Sequence, residues 1–276
     1  MSWQAIAKKD FQDSIRSRTL WVIIGLFLLL VFALSWWATD GDITDTDAFI
    51  AVIGGTFILG VIFFVPLTGL FISIKSIVRE RESGTINLLL SLPHSRSDMV
   101  IGKFVGRSAV LSVAILVGFL PAVVLLLVQA DVTPLYEIFA LLLSTILLGL
   151  MFIGIGVGFS ALVNSETQAT IGGVLIFILL YMWPFIIDFI LDISVPDFFE
   201  RSYLLFLFWD MWAALMSVRE DIPNASIVEL GGNPEIGNGS VDVAIYMQHW
   251  FAFVILAFWI IVPLAVGYLR FNQRDL

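Results

Sequence analysis

Six uncharged apolar runs, each close to the length that crosses a bilayer, constrain this chain more than any other feature. They occupy residues 20–37, 49–74, 108–130, 138–165, 167–187 and 243–269. A helix rises about 1.5 Å per residue, so roughly 20 apolar residues cross the hydrocarbon core. Within lipid every backbone N–H and C=O must be satisfied inside the segment, which leaves helices as the solution for runs of this kind. Composition agrees. Of the 276 residues, 59% are hydrophobic and only 13% charged, whereas about a quarter is charged in a soluble domain. The mean hydropathy is +1.00. The expected fold is all-α, a single polytopic transmembrane domain over residues 1–276 with six spans and no appended soluble domain.

Lys and Arg placement sets the expected orientation, because cytoplasmic loops carry the positive excess. Lys8, Lys9, Arg16 and Arg18 precede the first run, and Arg270 and Arg274 follow the last. The stretch 75–107 holds six of the fourteen basic residues: Lys75, Arg79, Arg81, Arg96, Lys103 and Arg107. The loop after the first run has Asp40, Asp42, Asp45 and Asp47 and no basic residue. Six spans with both termini cytoplasmic satisfy all of these. Glu166, in the tight turn between the fourth and fifth runs, also falls inside but brings no positive charge. No cleavable leader is expected, because no small-residue cleavage site follows the first run. The net charge of −9 and only four Lys predict a halophilic source, since hydrated carboxylates suit very salty media.

Outside the runs, three segments carry structure of their own. Residues 1–18 place Trp3, Ala7, Phe11 and Ile15 four apart with Lys8, Lys9, Asp10 and Asp13 between them. That is an amphipathic helix suited to the inner interface, with Ser2 as a possible cap. The 75–107 loop has a Leu-rich middle, residues 86–92, read as a short helix that packs on a partner. Residues 188–242 form an extracellular segment. Within it, residues 203–217 are apolar but interrupted by Asp210, too short to span, and read as a re-entrant or interfacial helix. The same segment holds the sequons at Asn224 and Asn238, short patterns that arise often by chance.

Several chemistries lack their residues. There is no cysteine, hence no disulfide or thiolate site. No phosphate-cradling P-loop is present: Gly102-Lys103 lacks the preceding glycine and the following hydroxyl residue. His94 and His249 are the only histidines. Ser160 lacks the flanking pattern of a nucleophile elbow. The Asp40–Asp47 cluster lacks the glycine and final glutamate of a calcium loop, and reads better as a solvated acidic face than as a cation site. No catalytic, cofactor or metal residues are therefore assigned, and no nucleic-acid partner is expected. Gly102-x-x-x-Gly106 and Gly154-x-x-x-Gly158 are small-residue spacings that permit close helix approach, within one chain or between two. Pro66, Pro121, Pro184 and Pro263 fall in or near spans and are read as sites where helices kink.

The chain resembles the ABC-2 type permeases, the membrane subunits of a class of ABC transporters. The resemblance rests on Lys8-Lys9-Asp10-Phe11 and Ile15-Arg16-Ser17-Arg18, then on Glu80-Arg81-Glu82-Ser83-Gly84-Thr85, Leu88-Leu89-Leu90-Ser91-Leu92-Pro93, Ser95-Arg96 and Gly102-Lys103-x-x-Gly106. The run is most similar to the NosY-like subgroup. The resemblance implies a permease, often an exporter, working as a homodimer or heterodimer in the cell membrane among its lipids. A separate cytoplasmic ATPase would bind ATP and Mg and dock on a coupling helix in 75–107. Glu80, Arg81, Glu82, Ser83, Gly84, Thr85, Leu88, Leu89, Leu90, Leu92, Pro93 and Arg96 are the implied docking residues. Ser83-Gly84-Thr85 also reads as a turn with helix capping, and both readings can hold. The alternative function is a membrane anchor that recruits a soluble partner without transport, and a third is a stand-alone channel or secondary transporter.

Overall fold

Each apolar run of the sequence meets a helix, but the helices do not end where the apolar residues end. The computed structural model describes residues 3–38, 61–84, 95–129, 134–187, 197–218 and 244–273, and among these there is no β-strand. We number the helices α1 (Trp3–Ile15), α2 (Arg18–Ala38), α3 (Val61–Glu82), α4 (Arg96–Gln129), α5 (Leu135–Leu162), α6 (Glu166–Phe185), α7 (Asp197–Glu200), α8 (Leu204–Met216) and α9 (Ala252–Asn272). Among the described residues, five helices are long and apolar enough to cross a membrane, and the count is six when the bent pair α1–α2 is taken as one span. The Asp40–Asp47 loop and the sequons lie outside the described residues.

Local chemistry explains the boundaries. α1 and α2 meet at 67°, and the Ser17 hydroxyl accepts from Leu20 N (3.3 Å) at the start of α2. α4 begins at Arg96, twelve residues before the third apolar run begins at Ser108. A reciprocal cap starts it: Asp98 N donates to Ser95 Oγ (3.0 Å), and Ser95 N donates to Asp98 Oδ2 (3.1 Å). Much of the expected 75–107 loop is therefore helix continuous with a span. α3 is helical to residue 73, turns at 74–77 and resumes at Val78–Glu82. The resumed piece starts in a buried place, where orphan N–H groups are costly. Ser160 of α5 supplies the acceptor, its Oγ taking Ile77 N (3.0 Å) and Val78 N (3.1 Å). α6 opens with Ser165 Oγ accepting from Gln168 N (3.2 Å).

α5 is the axis of the bundle, and residues 151–158 are all buried. Its glycines let neighbours approach from different sides. A Cβ at Gly158 would overlap the Pro263 carbonyl of α9, and one at Gly156 would overlap the Ser73 hydroxyl of α3. Gly154 faces Ile260 of α9 (3.1 Å to its Cα from a built Cβ). On the other flank, Gly102 and Gly106 of α4 lie under α1, where added Cβ atoms would meet Ile6 Cβ at 2.7 Å and the Ala7 carbonyl at 3.0 Å. The outer surface is apolar, with Ile171, Leu175 and Leu179 on α6 and Phe258 and Ile261 on α9 all exposed. This is the inverse of a soluble fold and suits lipid contact.

The 28 residues of α5 span about 42 Å, so the bundle has two distinct ends. At one, Tyr136 Oη donates to the Leu215 carbonyl (2.5 Å), tying α5 to α8. At the other, Arg81 Nη1 donates to the Val163 carbonyl (2.6 Å). α8 is an apolar helix of 13 residues, too short to span, at the first of these ends.

Candidate functional site

The second end gathers charged groups from four elements, α1, α3, α4 and α6. α1, the expected interfacial helix, buries Ala7, Asp10 and Ser14 and exposes Trp3 and Ile15. The face that fits the Gly102–Gly106 groove must be narrow, and Asp10 points into it. There Lys103 Nζ bridges Asp10 Oδ1 (2.8 Å) and Glu80 Oε1 (2.5 Å). Arg107 meets the same carboxylate, Nε to Oδ2 at 2.8 Å and Nη2 to Oδ1 at 3.1 Å. Lys103 and Asp10 are 6% and 5% exposed. Charges so buried survive only when paired, so α1, α3 and α4 are locked together here.

A second set holds the ends of α5 and α9. Arg81 donates to the Val163 and Ala161 carbonyls (2.6 and 3.4 Å) at the end of α5. Arg96 donates to the Phe271 and Asn272 carbonyls (2.6 and 2.9 Å) at the end of α9. Cations belong at these carbonyl-rich ends, where the helix dipole is negative. Both guanidiniums lie over the fully buried Phe271 ring, Arg81 at 5.3 Å and Arg96 at 5.4 Å from its centre. The α5–α6 turn is tied in as well: Arg79 Nε and Lys75 Nζ reach Glu166 at 3.2 and 3.5 Å.

Of the residues assigned from sequence, Glu80 thus joins the first set and Arg81 and Arg96 the second, all at this end of the bundle. Glu82, Ser83 and Gly84 lie at its exposed tip, and Gly84 has φ +72°, the left-handed region glycine favours. Thr85, Leu88, Leu89, Leu90, Leu92 and Pro93 lie outside the described residues. Reasoning from sequence missed Asp10, Ser160 and Phe271. The available signal for Asp10 was its alignment with Ala7 and Ser14, a row of small and polar residues that matches the Gly102–Gly106 spacing.

A further polar cluster, also missed, lies at the opposite end. Arg201 is fully buried and donates through Nε and Nη2 to Asp210 Oδ2 (3.0 and 2.8 Å). It also donates to the Gln248 carbonyl (2.8 Å) and the Tyr246 carbonyl. Asp210, which interrupts the apolar pattern of α8, is therefore an internal ion-pair partner. The pair binds the α7–α8 hairpin to the turns that lead into α9.

The comparison with known families adds the decisive observation. The profile described as ABC-2 family transporter protein matches residues 4–276. The chain belongs to this family. Among curated proteins it is similar to a probable ABC transporter permease protein NosY from Stutzerimonas stutzeri, 33% identical over 172 residues. A protein of the same name from Pseudomonas aeruginosa is 31% identical over 170 residues. Each match takes in 59% of this chain and 61% of the relative. The match thus spans about three-fifths of the length of these relatives. With its long apolar helices, this ABC-2 family member is a multi-pass membrane protein.

Proposed function

We propose that this chain is the permease subunit of an ABC transporter, an exporter with six spans and both termini in the cytoplasm. It works beside a second permease subunit, as a homodimer, and a separate cytoplasmic ATPase docks on 75–107. ATP and Mg act in that ATPase, while this chain is not itself an enzyme. The observation that carries the reading is the pair Arg81 and Arg96. They flank the segment 82–95 and bind the ends of two different spans, α5 and α9, around one shared ring. A push on that segment reaches both helices through rigid, short contacts rather than through a loose loop. Packed helices of this kind shift as units between discrete arrangements. The charge network on Asp10 extends the same displacement to α1 and α4. The basic residues concentrated at this end support a cytoplasmic placement.

The test is ATPase recovery. The cognate ATPase should co-purify with the wild-type chain, and either Leu89→Asp or Leu90→Asp should weaken that recovery while the protein still inserts. An unpaired carboxylate would be desolvated in the apolar groove of the partner. Normal recovery with both substitutions would defeat the docking assignment. Substrate-dependent ATP hydrolysis by the complex distinguishes a permease from an anchor, because an anchor leaves hydrolysis indifferent to substrate.

A further inference from the structure

At the end of the bundle that carries Arg81, a cleft of about 520 Å³ opens between α1, α3, α4 and α6. Its lining changes along its depth. Toward the end of the bundle it presents Lys75 and Arg79; toward the middle it presents Leu67 and Phe71 of α3 and Val174 and Phe177 of α6. Leu67, Phe71, Lys75 and Arg79 follow one another at intervals of four, so apolar gives way to basic along one wall. Lys75 and Arg79 share a single carboxylate, Glu166, and their side chains remain 34% and 64% exposed. Two cations on one carboxylate leave positive charge to spare on this wall. Lys103 and Arg107, also on the cleft, are already matched by Asp10 and Glu80, and Asp13 is exposed on the opposite wall, on α1.

We infer that this cleft holds one anionic phospholipid, its headgroup phosphate on Lys75 and Arg79 and an acyl chain along Leu67, Phe71, Val174 and Phe177. A free anion would use the cations but not the apolar wall. A neutral lipid would use the wall but not the cations. Leu67, Phe71 and Val174 are 41%, 65% and 54% exposed, and a chain laid over them covers apolar surface that leads directly from the charges. Glu166 competes with the phosphate for the same two cations, so its removal strengthens binding.

The experiment uses the full chain in nanodiscs of phosphatidylcholine containing a small share of phosphatidylglycerol, with retained lipid counted by native mass spectrometry. Each basic side chain near an anionic lipid surface is worth about fivefold in affinity. Lys75→Gln and Arg79→Gln should therefore each lower retained phosphatidylglycerol about fivefold, while Arg270→Gln, an exposed cation away from the cleft, should leave it unchanged. Glu166→Gln should raise retention, a direction that mere destabilisation does not produce. Phe71→Ser should lower retention of the lipid and leave binding of inorganic phosphate unaltered. Retention that is insensitive to Lys75 and Arg79, or that falls with Glu166→Gln, would overturn the assignment. So would inorganic phosphate displacing the lipid completely. If Phe71→Cys forms disulfide-linked dimers in the same nanodiscs while phosphatidylglycerol is not retained, a second copy fills the cleft and the lipid assignment fails.

Discussion

Breaking the Arg201–Asp210 pair should cost more than removing it. Both side chains are buried, at 0% and 1% exposure, and the guanidinium also serves two backbone carbonyls of the segment that leads into α9. In Asp210→Leu the guanidinium stays inside with no counter-charge; in Arg201→Met the carboxylate does. Removing one partner of a buried pair costs about 3–5 kcal/mol. For chains of this size each kcal/mol lowers Tm by about 2–4 °C, so each single substitution should lower Tm by about 6–20 °C. The double variant Arg201→Met/Asp210→Leu leaves no buried charge. It still strands two carbonyls, at about 1–3 kcal/mol each at most, so its loss should be smaller than the sum of the singles by several kcal/mol. The assay is thermal unfolding of the purified chain in detergent, followed by tryptophan fluorescence, with Trp209 and Trp212 reporting from α8 itself. Single variants within about 2 °C of wild type, less than 1 kcal/mol on that scale, would refute the reasoning. Additive losses in the double variant would refute it too, because the pair would then not be coupled.

Two further outcomes test the central packing. Gly158→Leu should lower stability by about 1–3 kcal/mol or more, since its side chain must displace the Pro263 backbone, whereas Gly25→Ala has open space around it and should leave Tm near wild type. Ser160→Ala should cost about 1–3 kcal/mol, read from the same unfolding curves, because it strands the buried Ile77 and Val78 N–H groups; Ser160→Thr should recover part of that loss.

The long apolar helices were legible because burial in lipid asks only for length and apolarity, and no partner is needed to read either. What composition hid was the helix beneath charge. α4 starts at Arg96 rather than at Ser108 because Arg96, Lys103 and Arg107 are all neutralised or engaged by other elements. Those partners come from distant positions that a linear scan does not join. Asp10 reads as part of a solvated face on α1 when that helix is considered alone. It becomes internal only when the Gly102–Gly106 groove is brought over it. Ser160 and Asp210 interrupt apolar patterns for the same kind of reason: each satisfies a buried group on another element. Single-helix periodicity carries no trace of such a demand. The Gly154–Gly158 pair of α5 was visible as spacing, but its partner α9, and the α3 partner of Gly156 between them, required the fold.

In the proposed transporter an ATPase sits against the tip formed by Glu82 and Ser83. The chain has no cysteine, so a single one can be introduced without background. Glu82→Cys, carrying a short photoactivated cross-linker, should form a covalent adduct with the ATPase subunit in membranes that contain both proteins. Val218→Cys, exposed at the opposite end beside α8, should form none. An adduct from Val218 with none from Glu82 would contradict both the docking surface and the orientation of the bundle.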